Sequence, residues 1–488
     1  MPRFVPLIAF VLAFAAFAGS AHAGGPTMTL GAAEDVVRAP DLVTARANMS
    51  LLRLAGFTSV RVTSNWQPGL RAPTGGELAI LRNVEAAARL TGVRVYVSVY
   101  HPGSRTTPLT ATAQAEFAAY TAALARALPS FDDVIVGNEP NLNRFWLPQF
   151  GLDGSNASAP AYLQLLAQVY DALEATDPAL RVWGGALAPR GSDRPGGIRP
   201  TSSPTAFIKA LGVAYRASGR TLPVMDGFAM HPYPDTSSQS PDTPHPNTTT
   251  IGLADYDKLV GLLGEAFDGT AQPGSTLPVL YDEFGIESVL PPGKAPLYTG
   301  TEPTTTQPVD ERTQSAQYAR ALQLAFCQPN VAGMLLFHSH DETALLSWQS
   351  GVYYADGSPK ASLYAVRDAL DRTRGGSISR CEGLALDVTP LAVRFPSPTR
   401  FLGGLRDVRF RCSLDCAWEL RASRVANGSV AAIVRGYGRA GAELFATLRG
   451  RRLGKGLIKL ALTVTHPVNP GLATTRESVQ LRLPTPPV

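Results

Sequence analysis

The chain has 488 residues, 45% of them hydrophobic and 17% charged. It is too long for one ordinary domain, apolar enough to bury a core along most of its length, and free of internal repeats and long low-complexity tracts. The net charge of +5 hides an asymmetry: residues 376–488 carry 17 Lys and Arg against 7 Asp and Glu, the remainder 27 against 32.

Residues 1–23, "MPRFVPLIAFVLAFAAFAGSAHA", carry one Arg, an apolar run and a small-residue ending at Ala23. The pattern predicts a secretory signal peptide cut after Ala23, hence a secreted protein. An uncleaved anchor is the alternative, and the apolar run is short for one. No later stretch is long and apolar enough to span a bilayer, so no membrane span is expected after cleavage.

Residues 24–374 alternate short apolar runs with Ala/Leu-rich helical patterns. The runs begin near residues 28, 59, 93, 133, 181, 225, 277 and 331. Alternating strands and helices argue a parallel sheet, and near-continuous apolar strands argue burial on both faces. Eight such units over this length fit a (β/α)8 TIM barrel. A doubly wound sheet would need a glycine-rich turn after its first strand, and "LGAAED" is not one. Two polar loops, 235–250 and 298–310, follow the sixth and seventh strands at the end where barrel enzymes place their active sites.

After a junction at "GGSISRCEG" the texture changes to short alternating runs. Residues 380–488 read as a small all-β, sandwich-like accessory domain. Its basic charge suits an anionic cell-wall polymer, but the Arg residues are scattered, as on a solvated surface. No nucleic-acid partner is expected. Export permits disulfides. The four cysteines suggest Cys412–Cys416 in "RCSLDCAW", leaving Cys327–Cys381. Zinc would need four convergent ligands, and no His sits near the close pair.

Two predicted strand ends deliver a glutamate. "DDVIVGNEPN" runs straight into Glu139, and "VLYDEFGIES" presents Glu283. In a closed barrel the two end on one face. Glycoside hydrolysis needs two carboxyls flanking a sugar, one to protonate the departing oxygen and one to attack the anomeric carbon or activate water.

At these positions the chain resembles clan A of the glycoside hydrolases, nearest to the family 5, cellulase-like group. "NEP" resembles the fourth-strand acid/base motif, giving Asn138 and Glu139. "DEFG" resembles the seventh-strand nucleophile motif, giving Glu283. "HPY" resembles the sixth-strand His-x-Tyr, giving His231 and Tyr233, while Arg61 and His101 match the second-strand arginine and third-strand histidine. The resemblance implies a β-glycosidic substrate and no cofactor or metal. It fails at the eighth strand, where a Trp is usual and this chain reads Leu336-Phe337-His338. Either Phe337 or His338 takes that place, or Trp348 reaches back.

The expected roles follow. Glu139 is the acid/base and Glu283 the nucleophile, kept ionised by Arg61 and Tyr233. Asn138 bonds a sugar hydroxyl, and His101 and His231 bind hydroxyls or orient the carboxyls. Trp66 and Trp146 lie in loops after strands two and four and are expected to stack on sugar rings. These positions have rivals. Glu139 could cap a helix N-terminus. Asp282 is placed by strand alternation on the face opposite Glu283, and Glu287 lies past the turn. Asp341 and Glu342 have no assigned part. The other function classes are a non-catalytic carbohydrate-binding protein on the same barrel and a metal-dependent hydrolase using His338-Ser339-His340.

Overall fold

The computed structural model describes residues 28–374 and, beyond them, 393–394, 405–413, 416–438, 441–449, 453, 457–465 and 473–482. The expected signal peptide and Cys381 lie outside the described residues. Cys327 is disulfide-bonded, and Cys412 is bonded to Cys416. No helix among the described residues is long and apolar enough to cross a membrane.

Eight parallel strands close into a barrel in chain order. They are β1 (Thr29–Ala33), β2 (Ser59–Asn65), β3 (Arg94–Tyr100), β4 (Asp133–Val136), β5 (Arg181–Leu187), β6 (Gly227–Met230), β7 (Val279–Phe284) and β8 (Val331–Leu336). The helices that return the chain are α1 (Leu42–Leu54), α2 (Gly75–Thr91), α3 (Ala111–Ala127), α4 (Ser158–Glu174), α5 (Pro204–Ser218), α6 (Tyr256–Phe267), α7 (Glu311–Phe326) and α8 (Ala361–Arg374). Several begin where a side chain takes an orphan amide: Asp41 accepts from Thr44, Thr110 from Ala113, Ser203 from Ala206 and Asp310 from Thr313. Such caps hold about 1 kcal/mol each.

Alternation sorts each strand's side chains. Ile135 points into the barrel with Tyr96, Trp183, Ala229, Leu280 and Leu335, while Val134 and Val136 join the larger core against the helices. The barrel is therefore packed through its middle, which leaves its two ends as the places for chemistry. At the N-terminal end buried Asp133 is held by Arg94, Arg181 and the indole of Trp183. That cluster is structural.

The C-terminal part forms two antiparallel sheets. One has β9 (Val393–Arg394), β10 (Leu405–Cys412) and β13 (Leu444–Arg449); the other has β11 (Cys416–Arg424), β12 (Val430–Gly438), β14 (Leu457–Thr465) and β15 (Ala473–Arg482). Phe410 and Leu448 of the first share a core with Leu420 and Leu462 of the second. Alternating inward residues from two sheets make a sandwich.

Candidate active site

A cleft of about 820 Å³ opens at the C-terminal mouth of the barrel. Residues after β1, β4, β6, β7 and β8 line it, and its size suits a small ligand or a few sugar rings.

Glu139 reaches this cleft through an unusual turn. Gly137 has φ +86° and Glu139 itself φ +42°, a left-handed conformation that costs a non-glycine residue about 1 kcal/mol or more. A Cβ on Gly137 would come within 3.1 Å of the Tyr162 ring. The turn is pinned from β5. That strand carries one extra residue opposite β6, Ala186, also left-handed, and the Ala186 carbonyl accepts the Glu139 amide at 2.8 Å. No helix starts here, because the next one, α4, begins at Ser158. Glu139 is therefore not consumed as a helix cap.

Glu283 arrives from β7 by a second irregularity. Between Tyr281 and Phe284, β7 spends one more residue than β8 does between Met334 and Leu336. A bulge re-aims the side chains around it. Leu280 points into the barrel, so Asp282 points inward too, and the extra residue turns Glu283 into the mouth as well. This corrects the expectation that Asp282 faces away: its carboxyl is fully buried and lies 3.3 Å from both Arg61 Nη1 and His231 Nε2.

The two glutamates meet at one imidazole. His231 Nδ1 is 3.1 Å from Glu139 Oε1 and 3.5 Å from Glu283 Oε2. Those two contacts put the oxygens at most about 6.6 Å apart, a ceiling that admits the roughly 5–5.5 Å of a retaining pair and leaves out nearly all of the roughly 6.5–9.5 Å inverting range. Arg61 donates to Glu283 at 2.6 Å and to Asn138 Oδ1 at 3.1 Å, and Tyr233 donates to Glu283 at 3.0 Å. Arg61 thus occupies the amide oxygen of Asn138 and leaves its NH2 to face a ligand.

The electrostatics follow from this packing. Burial pushes the Glu283 carboxyl up, but His231, Arg61 and the Tyr233 hydroxyl together hold it below its ordinary value. Burial pulls the other way on His231, yet Glu283 and Asp282 raise it to about 10. Burial and the neighbouring carboxylates suppress ionisation of Tyr233. One glutamate is held ionised by two cations, and a second sits across the cleft from it at higher exposure, 16% against 10% for the side chains.

The aromatic walls differ from the sequence expectation. Trp66 is fully buried, packs on Phe117 at 5.4 Å and donates to the Leu70 carbonyl. Trp146 is buried between Tyr162 and His101. His101 bonds the Gly103 carbonyl, and burial lowers its basicity. None of these three lines the cleft; helices α3 and α4 supply the apolar partners that draw Trp66 and Trp146 inward. The cleft wall after β4 is instead Leu142, Arg144 and Phe145. Trp348 does reach back. It lies against Tyr233 at 4.9 Å with the rings tilted by 31°, meets Phe337 edge-on at 5.4 Å, and lines the cleft with Phe337 and His338.

Other acidic residues gather here without a signal in the sequence. Glu34, past β1, accepts from the amides of Val36, Ser339 and His340 and from the Ser339 hydroxyl. Despite burial, its bonds and the nearby imidazoles hold it at about 2. It clamps the turn after β8. Asp341 is buried on Lys360 at 2.7 Å and on Tyr298, a structural pair. Glu342 stands at the rim near His338. His338 bonds the Ala33 carbonyl, whereas His340 lies on Tyr353, so the two rings do not share a ligand. Among the described residues no three His, Cys, Asp or Glu side chains are grouped to hold a metal.

No family model matches the chain, and no curated protein matches it. Solved structures do. One is GH5_18 from Streptomyces cattleya in complex with GlcNAc, 18% identical over 72% of this chain and 81% of that one, TM-score 0.47. Another is the exo-β-1,4-mannosidase Op5Man5 from Opitutaceae bacterium strain TAV5, 19% identical over 71% and 60%, TM-score 0.45. A third is a β-glucuronidase of Bacteroides uniformis, 11% identical over 94% of this chain and 47% of that one, TM-score 0.46. The chain thus spans about half the length of the glucuronidase. Likeness this distant leaves function to the side chains themselves.

Proposed function

We propose that the protein is a retaining β-glycoside hydrolase of the clan A, family 5-like type. The observation that supports this best is the meeting of Glu139 and Glu283 at His231 Nδ1, one glutamate bonded there and open to the cleft, the other gripped by Arg61 and Tyr233.

In this reading Glu283 attacks the anomeric carbon while Glu139 protonates the departing oxygen. Water then enters where the leaving group stood, and Glu139 takes its proton as Glu283 is released. The Arg61 and Tyr233 bonds keep Glu283 charged and aimed. The free NH2 of Asn138 bonds a hydroxyl beside the reacting carbon. Trp348 offers its face to the ring, as the usual eighth-strand Trp would. Export by the amino-terminal segment, and contact of the basic β-domain with an anionic wall polymer, belong to the same proposal.

The test is a panel of β-glycans and aryl β-glycosides with the protein lacking residues 1–23, followed by two variants. Glu283→Gln should abolish turnover and the covalent intermediate. Glu139→Ala should slow poor leaving groups by about 10²–10⁴-fold yet accumulate the glycosyl-enzyme from a good one, and azide should restore its turnover. Equal losses in both variants whatever the leaving group would end the assignment of roles. Sugar binding without turnover on any substrate would make the protein a carbohydrate binder.

A further inference from the structure

We infer that Asp282 is a positioning residue for the catalytic pair: it holds a proton on His231, so that an imidazolium stands between Glu139 and Glu283. The inference rests on the glycosidase reading of that pair.

Asp282 is completely buried, and its Oδ1 has no hydrogen-bond partner. A buried carboxylate so poorly bonded must be held by charge. Arg61 supplies one cation, but its Nη1 lies closer to Glu283, 2.6 Å against 3.3 Å to Asp282. The remaining basic group in contact among the described residues is His231, whose Nε2 lies 3.3 Å from Asp282 Oδ2 as a charge contact outside hydrogen-bond alignment. The ring therefore has a carboxylate behind it and two carboxyls in front.

With Glu139 protonated and ready to donate, Glu283 and Asp282 carry two negative charges, and Arg61 and an imidazolium carry two positive ones. A neutral His231 would leave the buried set one charge short. The other ionisable groups facing it are phenols. Tyr233, from just past β6, donates to Glu283, Tyr162 of α4 is engaged with the Val136 carbonyl and the Gly185 amide, and Tyr100 of β3 stands within the field of Arg61 and Glu283. None of them can supply the missing charge. Burial alone would strip His231 of its proton, and the carboxylates around it more than reverse that. An imidazolium in front of both glutamates also stops them from sharing one proton, the usual outcome for close carboxyls.

The discriminating variant is Asp282→Asn, the same shape without the charge. Its amide can donate to a neutral Nε2 and keep the ring in place. If Asp282 holds the proton, the variant's His231 is neutral. Both glutamates then lose a cation at close range, and both limbs of the pH profile of kcat/KM move up by about one unit. If His231 stays protonated without Asp282, the glutamates lose only a nearby anion, and both limbs move down. Unmoved limbs would mean that Asp282 only packs. Either of the last two results overturns the inference. NMR titration of the His231 ring decides the matter without any substrate: the unmodified protein should keep the imidazolium at pH 8. A neutral ring there overturns the inference whether or not the variant folds. An intact imidazolium with no turnover on any glycoside would instead defeat the proposed function and leave the Asp282–His231 coupling standing.

Discussion

Replacing Glu287 by Gln should stabilise the protein above neutral pH and leave it unchanged in acid. Glu287 follows β7, is 7% exposed, and has no hydrogen-bond partner at Oε2. Lys360, a cation whose charge acts on it, is already committed to Asp341 at 2.7 Å. Burial, then repulsion from Glu302, push the carboxyl up from 4.5 to about 7. The folded chain therefore keeps a proton that the unfolded chain releases from pH 4.5 upward, so stability falls between pH 4.5 and 7, and the loss is complete above 7. A rise of that size corresponds to about 3 kcal/mol at most. Relaxation around a side chain at the cleft wall brings the expected gain to about 1–3 kcal/mol. Gln keeps an oxygen for the Gln349 amide and carries no charge. Guanidinium unfolding followed by tryptophan fluorescence at pH 4 and pH 8.5 is the assay. The variant's midpoint should exceed the unmodified protein's at pH 8.5 and match it at pH 4. Equal midpoints at both pH values, or a lower one at pH 8.5, would refute the argument that Glu287 is folded as the neutral acid.

Trp348→Ala should raise KM for a responsive glycoside about tenfold, or about 1.4 kcal/mol, with little loss of stability, because its face is the aromatic wall of the cleft. Trp66→Ala should do the reverse, costing about 3–5 kcal/mol of stability while KM holds; a KM effect as large as that of Trp348 would place Trp66 at the sugar after all. Truncation after Gly383, which keeps Cys381, should leave turnover of a small aryl glycoside nearly intact, since each cleft residue comes from the barrel. A soluble, folded truncate that loses more than about tenfold, or 1.4 kcal/mol, would show that the β-domain shapes the site.

The barrel was legible because its strands are local statements. In "DDVIVGNEPN" three branched apolar residues lie between a polar start and a glycine, and the structure makes of them a buried four-residue strand, Asp133–Val136. Glu139 and Glu283 were legible for the same reason: each follows such a run with two residues or one between. Asp282 was misplaced because alternation assumes an unbroken ladder, and no residue type announces the extra residue that β7 carries between Tyr281 and Phe284. The Trp residues show a different limit. Trp66 and Trp146 sit in loops as expected, but which way a loop indole turns depends on what packs beneath it, and Phe117 and Tyr162 come from helices well downstream of each. Glu34 carried no signal at all, and Glu287 was legible only as a carboxylate past the turn, since the backbone amides that hold the first and the loop carboxyls that press on the second are brought near only by the closed barrel. The chemistry of the site is thus written at strand ends, whereas its electrostatic support is written in the register of the sheet. That is why Asp282, which strict alternation puts on the far face, stands instead against His231 and joins Glu283 in setting the charge of its ring.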